Sequence, residues 1–183
     1  MAVMDDMMIC ERREEFPATY PDTPEGLLSD KAAALDDVLI WDRIESYIAH
    51  RWTEREVVWI VLGPGEFVPD LKPATITAQE VWSATGYVAT SLDPSPLGGV
   101  MLPGDGHYRF TATVGGGTVP AGVWEAFRRL AEYYAERPRH QGAGRVTNET
   151  GPLKTDFDRT PKWVAMAMQL SGAADLLRQY RRA

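Results

Sequence analysis

One cysteine, Cys10, stands alone among 183 residues, so no internal disulfide can form. Only three histidines occur, His50, His107 and His140, in separate segments without metal-ligand spacing. No window approaches the roughly 20 apolar residues of a membrane-spanning helix. The opening residues, MAVMDDMMIC, carry acids and no apolar run, and do not read as a signal peptide. Positive charge is scarce as well. The net charge of -7 argues against a protein that grips nucleic acid over its surface, which takes clustered Lys and Arg. What remains is ordinary for a globular domain: 44% hydrophobic and 25% charged residues. A chain of this size buries roughly 70% of its unfolded surface, enough for a core without disulfide or metal. The expected compartment is the cytosol, or an assembly built there.

The charge is unevenly placed. Residues 1–28 hold seven acids against two bases, and residues 159–183 hold five bases against one acid. Opposite-signed ends read first as solvated faces. In an oligomer they are complementary surfaces. The paired acids Glu14-Glu15 and Asp36-Asp37 are likewise expected on solvated faces.

Residues 1–28 contain Pro17, Pro21 and Pro24 and no steady periodicity, and read as an extended N-terminal arm. Ser29 is a good N-cap, and Asp30 follows in the first turn. Leu35, Val38, Leu39, Trp41, Ile44, Ile48 and Trp52 then recur at helical spacing, predicting one helix to about Arg51. From residue 54 the texture becomes β-rich. The apolar run Val57 to Leu62 predicts a buried strand stopped by Gly63-Pro64-Gly65. Two further runs flank a hairpin turn at Ser83–Gly86, and two short strands surround Pro103–Gly106. In the next segment Val123, Phe127, Leu130 and Tyr134 form one helical face, with Pro138 ending the helix. Residues 138–159 are polar and glycine-rich, and read as a long functional or mobile loop. Thr160 and Pro161 open a last helix striped by Trp163, Ala167, Leu170, Ala174 and Leu177. The fold class expected is α+β: a helical bundle of about three helices (29–53 and 118–183) with an inserted antiparallel β-subdomain of about five strands (54–117).

The stretch TATVGGGTVPAGVWEAF has the parts of a phosphate-binding loop: strand, glycines, helix. The rest of such a loop is missing. No lysine follows Gly117, and Pro120 lacks an amide where one is wanted. The dinucleotide pattern expects a parallel βαβ unit, whereas this sheet reads as antiparallel. The glycines therefore read as a sharp turn, with Thr118 as a cap and Pro120 presetting the first helical turn. The serines lack a nucleophile-elbow context. No catalytic constellation emerges, and neither a cofactor nor a metal is expected.

The stretch HYRFTATVGGGTVPAGVWEAFRRLAEYYAERP carries a likeness of another kind: a strand, a glycine-rich turn, "VP", a striped helix and a tyrosine-rich end. This resembles the head–tail connector, or adaptor, proteins of tailed bacteriophages and gene-transfer agents. The likeness extends outward over roughly residues 27–180. SDKAAALDDVLIWDRIESYIAHRW stands where that family has its first helix, and VVWIVL where it has the following strand. The longer acidic N-terminal arm departs from the pattern.

The resemblance implies a structural protein of the virion, built in the host cytoplasm, and not an enzyme. Copies would form a ring matching the portal's twelvefold symmetry. That ring would extend the DNA channel, through which DNA passes without specific binding, and receive the next connector, stopper or tail protein. No membrane is involved. On this reading Arg178, Gln179, Tyr180, Arg181 and Arg182 face the portal. Arg139, His140, Arg145, Asn148 and Lys154, in the loop, reach an adjacent subunit or connector. The alternative is a small-molecule-binding domain or enzyme, with Trp59, Trp82, Tyr87 and Tyr108 lining a pocket in the β-subdomain.

Overall fold

The computed structural model describes residues 9–136, 145–150, 153–158 and 166–181. The chain is α+β and divides into two compact units. One comprises residues 9–21 and 49–118, the other residues 22–48 and 119–181.

The first unit is a five-stranded antiparallel sheet. Its strands are β1 (Ile9–Glu14), β2 (Arg55–Phe67), β3 (Ala74–Ser83), β4 (Gly86–Ala89) and β5 (Val100–Val114), in the order β1-β2-β5-β3-β4. The β2–β5 ladder is the spine, running from Arg55↔Val114 to Phe67↔Val100. Alternation along both strands sends one row inward: Val57, Trp59, Val61 and Phe67 from β2, and Leu102, Tyr108, Phe110, Ala112 and Val114 from β5. Phe67 stacks on Phe110 with ring centroids 4.5 Å apart.

Two expectations change here. Four of the five strands come from 54–117, but the fifth, β1, comes from the segment read as an arm. In addition, neither Gly63-Pro64-Gly65 nor Pro103–Gly106 interrupts its strand. Both stretches lie inside continuous strands, and the pairing steps from Gly63↔Gly106 to Gly65↔Leu102 across an irregularity. The reason is close approach: a Cβ on Gly63 would lie 2.6 Å from the Gly104 carbonyl oxygen. Glycine lets the two backbones meet where they bend. The Tyr108 hydroxyl pins the bend, donating to the Gly104 carbonyl at 3.1 Å. The β3–β4 hairpin turns between Ser83 and Gly86 as expected.

The second unit contains two substantial helices rather than a clear three-helix bundle. Ser29 caps α1 (Asp30–Ala33), its side chain accepting from the Ala32 amide. The long helix predicted to follow breaks there. Asp36 accepts from the Val38 amide at 3.0 Å and so caps a new helix, α2 (Asp37–Glu45). The helix then stops at Glu45, short of Arg51. The longest helix among the described residues, α3 (Ala121–Ala135), buries Val123, Phe127 and Leu130 as its periodicity predicts. Trp41 of α2 packs edge-on against Trp124 (5.3 Å) and at a tilt against Phe127 (5.1 Å).

Thr160 and Pro161, the expected start of the closing helix, lie outside the described residues. Over residues 166–181 the chain forms two short helices, α4 (Ala167–Leu170) and α5 (Ala173–Leu176), then a 3-10 turn at Arg178–Tyr180. Gly172 adopts a left-handed φ of 74° between them, and Leu170 is exposed rather than part of a buried stripe. Trp163 lies outside the described residues. The expected loop 138–159 contains a hairpin instead, β6 (Arg145–Thr150) paired with β7 (Leu153–Asp158) as a separate two-stranded sheet.

Candidate interaction surfaces

The glycine junction comes first, because a nucleotide site there would imply an enzyme. Gly115, Gly116 and Gly117 all have positive φ, near 100°. The Gly115 amide is already used: it donates to the Pro73 carbonyl at 2.9 Å. The Glu54 carboxylate borders Gly116, whose Cβ position is 3.1 Å from Oε1. A committed amide and an adjacent carboxylate both work against a phosphate at this turn. The cap differs from expectation: Pro120, not Thr118, is the N-cap of α3, and no side chain caps it.

The cations expected to face a portal stand in the last turn. Arg178 and Gln179 are exposed and Tyr180 is half-buried. Arg181 is exposed but placed: its guanidinium lies 4.6 Å from the Tyr47 ring centre, and Nη1 donates to the Tyr47 hydroxyl at 3.2 Å. Arg182 lies outside the described residues, as do Arg139 and His140. Of the other expected loop residues, Arg145 and Asn148 stand on β6. Lys154 stands on β7, opposite Glu149 in the ladder.

The four aromatics proposed to line one pocket are divided. Trp59 and Tyr108 are buried in the core. Trp82 and Tyr87 make an edge-on pair, centroids 5.0 Å apart, and Trp82 is 52% exposed. Of the four, Tyr87 borders a shallow cavity of about 330 Å³ with Arg13, Val58, Ile60 and Arg109. Arg109 lies over the Tyr87 ring (4.2 Å) and binds Glu80 with two nitrogens, one at 2.8 Å. That pairing holds the Glu80 carboxyl below its ordinary range. The arginine is thus committed within the sheet.

One cluster escaped the sequence reading. Glu14, expected on a solvated face, is shared by two arginines that are more than nine-tenths buried. Arg51 Nε donates to Glu14 Oε1 at 2.6 Å, and Arg55 Nη1 donates to the same oxygen at 3.2 Å. One residue pair away, Arg12 meets Asp70 at 2.6 Å, and Asp70 also accepts from the buried Trp59 indole at 2.7 Å. Charge therefore fastens β1 to its sheet. The only sequence signal was the run Glu11 to Glu15, in which acids and bases interleave. Asp36 and Asp37 also have work: the first caps α2, and the second accepts from Thr23 at 2.6 Å.

Large apolar side chains are exposed in both units. On α2, Val38 and Leu39 are 51% and 66% exposed. On the β3–β4 hairpin, Trp82 and Val88 are each about half exposed, on opposite faces. Among the described residues, no group of His, Cys, Asp or Glu is arranged to hold a metal, and no helix is long and apolar enough to cross a membrane. His50 stacks near Trp52 (4.6 Å), and burial, then the neighbouring Arg51 charge, lowers its pKa. Comparison with protein-family models, with curated proteins and with solved structures yields no match to this chain.

Proposed function

We propose that this chain is a structural head–tail adaptor of a tailed bacteriophage or gene-transfer agent. Copies form a ring below the portal, matching its symmetry. The ring extends the DNA channel and joins the head to the next connector or tail protein. On this reading the protein acts by contact, without catalysis or cofactor, in the virion and in the host cytoplasm during assembly.

The observation that carries the reading is exposed apolar surface in both units, Val38 and Leu39 on α2 and, on one face of the hairpin, Trp82 beside Tyr87. A closed ring needs two different patches on every subunit, so that each copy meets its neighbour head to tail. A contiguous exposed apolar patch marks a surface that a partner covers. An acidic subunit also suits a channel lining past which DNA must slide without being held. The resemblance in the glycine-turn and helix segment supplies the identity of the assembly.

The test is direct. The purified protein is imaged by negative stain and sedimented with portal-bearing heads. Rings, or co-sedimentation that is lost when residues 178–183 are deleted, support the proposal. A protein that neither forms rings nor binds such heads overturns it.

A further inference from the structure

The unit that holds the five-stranded sheet is built from two separate pieces of chain, 9–21 and 49–118. The shorter piece brings little apolar surface. Within β1, Cys10 to Arg13 are exposed, Glu14 is half-buried, and half-buried Ile9 packs against the core of the sheet; Pro17, Tyr20 and Pro21 beyond it are half-buried. Two other things hold it. One is the backbone ladder with β2, from Ile9↔Val61 to Glu14↔Val57. The other is charge: Arg12 on Asp70, Glu14 on Arg51 and Arg55, and Arg55 set 5.9 Å from the Tyr20 ring centre.

These contacts form two complementary sets. Arg12, Glu14 and Tyr20 are the donor set. Asp70, Arg51, Arg55 and the open edge of β2 are the receptor set. Their geometry fixes which groups meet, not whether the groups belong to one chain. The donor piece leaves its unit through Pro21-Asp22-Thr23-Pro24, and both prolines bias the chain toward an extended path. A strand held mostly by ladder and charge, with one apolar anchor at Ile9, on a proline-flanked hinge, is suited to exchange.

We propose that in the assembled state residues 9–21 pass to the neighbouring copy, so that β1 of one subunit completes the sheet of the next. The partner is a second copy of this chain. The contact is heterologous, donor set against receptor set, as a ring requires. This inference deepens the ring reading and rests on it for the meeting of copies.

Cross-linking distinguishes exchange from self-closure. Arg13 and Val58 are directly opposed in the β1–β2 ladder. Opposed antiparallel residues have Cα atoms about 4.5–5.5 Å apart, within reach of a disulfide. In a Cys10→Ser background, one tagged chain carries Arg13→Cys and a differently tagged chain carries Val58→Cys. The two are co-expressed, purified and oxidised. Exchange yields a disulfide-linked pair bearing both tags, and a chain carrying both cysteines yields a covalent ladder on a non-reducing gel. Bridges found only within single chains overturn the exchange. If those chains still form rings, the adaptor reading survives. Mixed-tag pairs without rings keep the exchange and count against the ring. Glu11→Cys with Ile60→Cys, a second opposed pair, gives the same readout should the first disturb folding.

Discussion

Glu14 Oε1 lies 2.6 Å from Arg51 Nε and 3.2 Å from Arg55 Nη1, so one carboxylate from the first strand serves two buried guanidiniums. Glu14→Gln leaves those two cations facing each other without their shared anion. Breaking a buried pair from one side costs about 3 kcal/mol. The expected outcome is an unfolding free energy, read from urea titration, lowered by that amount. Glu15→Gln, at the exposed neighbouring position, stays within about 0.5 kcal/mol of the parent. Equal midpoints for the two variants would show that the ion cluster adds nothing.

Gly115 and Gly117 share a left-handed backbone but differ in surroundings. A Cβ on Gly115 would lie 2.3 Å from the Thr53 carbonyl oxygen, whereas one on Gly117 meets nothing within 4 Å. Gly117→Ala therefore carries the backbone term alone, about 1 kcal/mol. Gly115→Ala adds a clash with fixed backbone, and loses about 3 kcal/mol or fails to accumulate as folded protein. Thermal unfolding of the two variants checks the order. Calorimetry of the parent with ATP is expected to give no heat, in keeping with a turn whose first amide is spent on Pro73.

Arg128 and then Arg129 donate to the Glu125 carboxylate at 2.8 Å and hold its pKa down at about 2. The folded value lies below the usual carboxylate value near 4.3. The contribution is therefore complete above that value and is lost as pH falls toward about 2. The carboxylate is 34% exposed and the arginines more so, which screens the pair to about 0.5 kcal/mol. Glu125→Gln is expected to flatten the dependence of urea stability on pH below about 4.5 by that amount, with no change in slope above pH 5. A carboxyl resonance titrating near 4.3 would contradict the pairing.

Leu39→Glu and Trp82→Glu test assembly apart from folding. Both side chains are more than half exposed, so each substitution is expected to change the unfolding free energy measured in urea by no more than about 0.5 kcal/mol. Each is also expected to abolish rings in negative stain, because the charge must be desolvated at a subunit contact. Rings unchanged in both variants would remove the observation on which the adaptor reading leans.

Much of the fold was legible where a local rule governs. The 3.6-residue stripe of α3, the apolar run of β2, the turn at Ser83–Gly86 and the Ser29 cap each depend on residues within a few positions of one another. The glycine junction was readable too, as a turn, because the partners of a phosphate loop are themselves local. Exposed Leu39 and Trp82 were not legible as surface, since apolar residues at regular spacing look alike whether or not a neighbour covers them.

What the amino-acid order determined alone was composition, charge, local period and caps, and through them the α+β class. Only the tertiary structure decided that CERRE is a strand, because its polar side chains hide the extended backbone until the edge of β2 supplies the hydrogen-bond partners. It also decided that Gly63 and Gly104 cross rather than end their strands, and that Glu14 is half-buried between two arginines. In each case the deciding group lies tens of residues away in the chain. Its free energy appears only when the two segments meet.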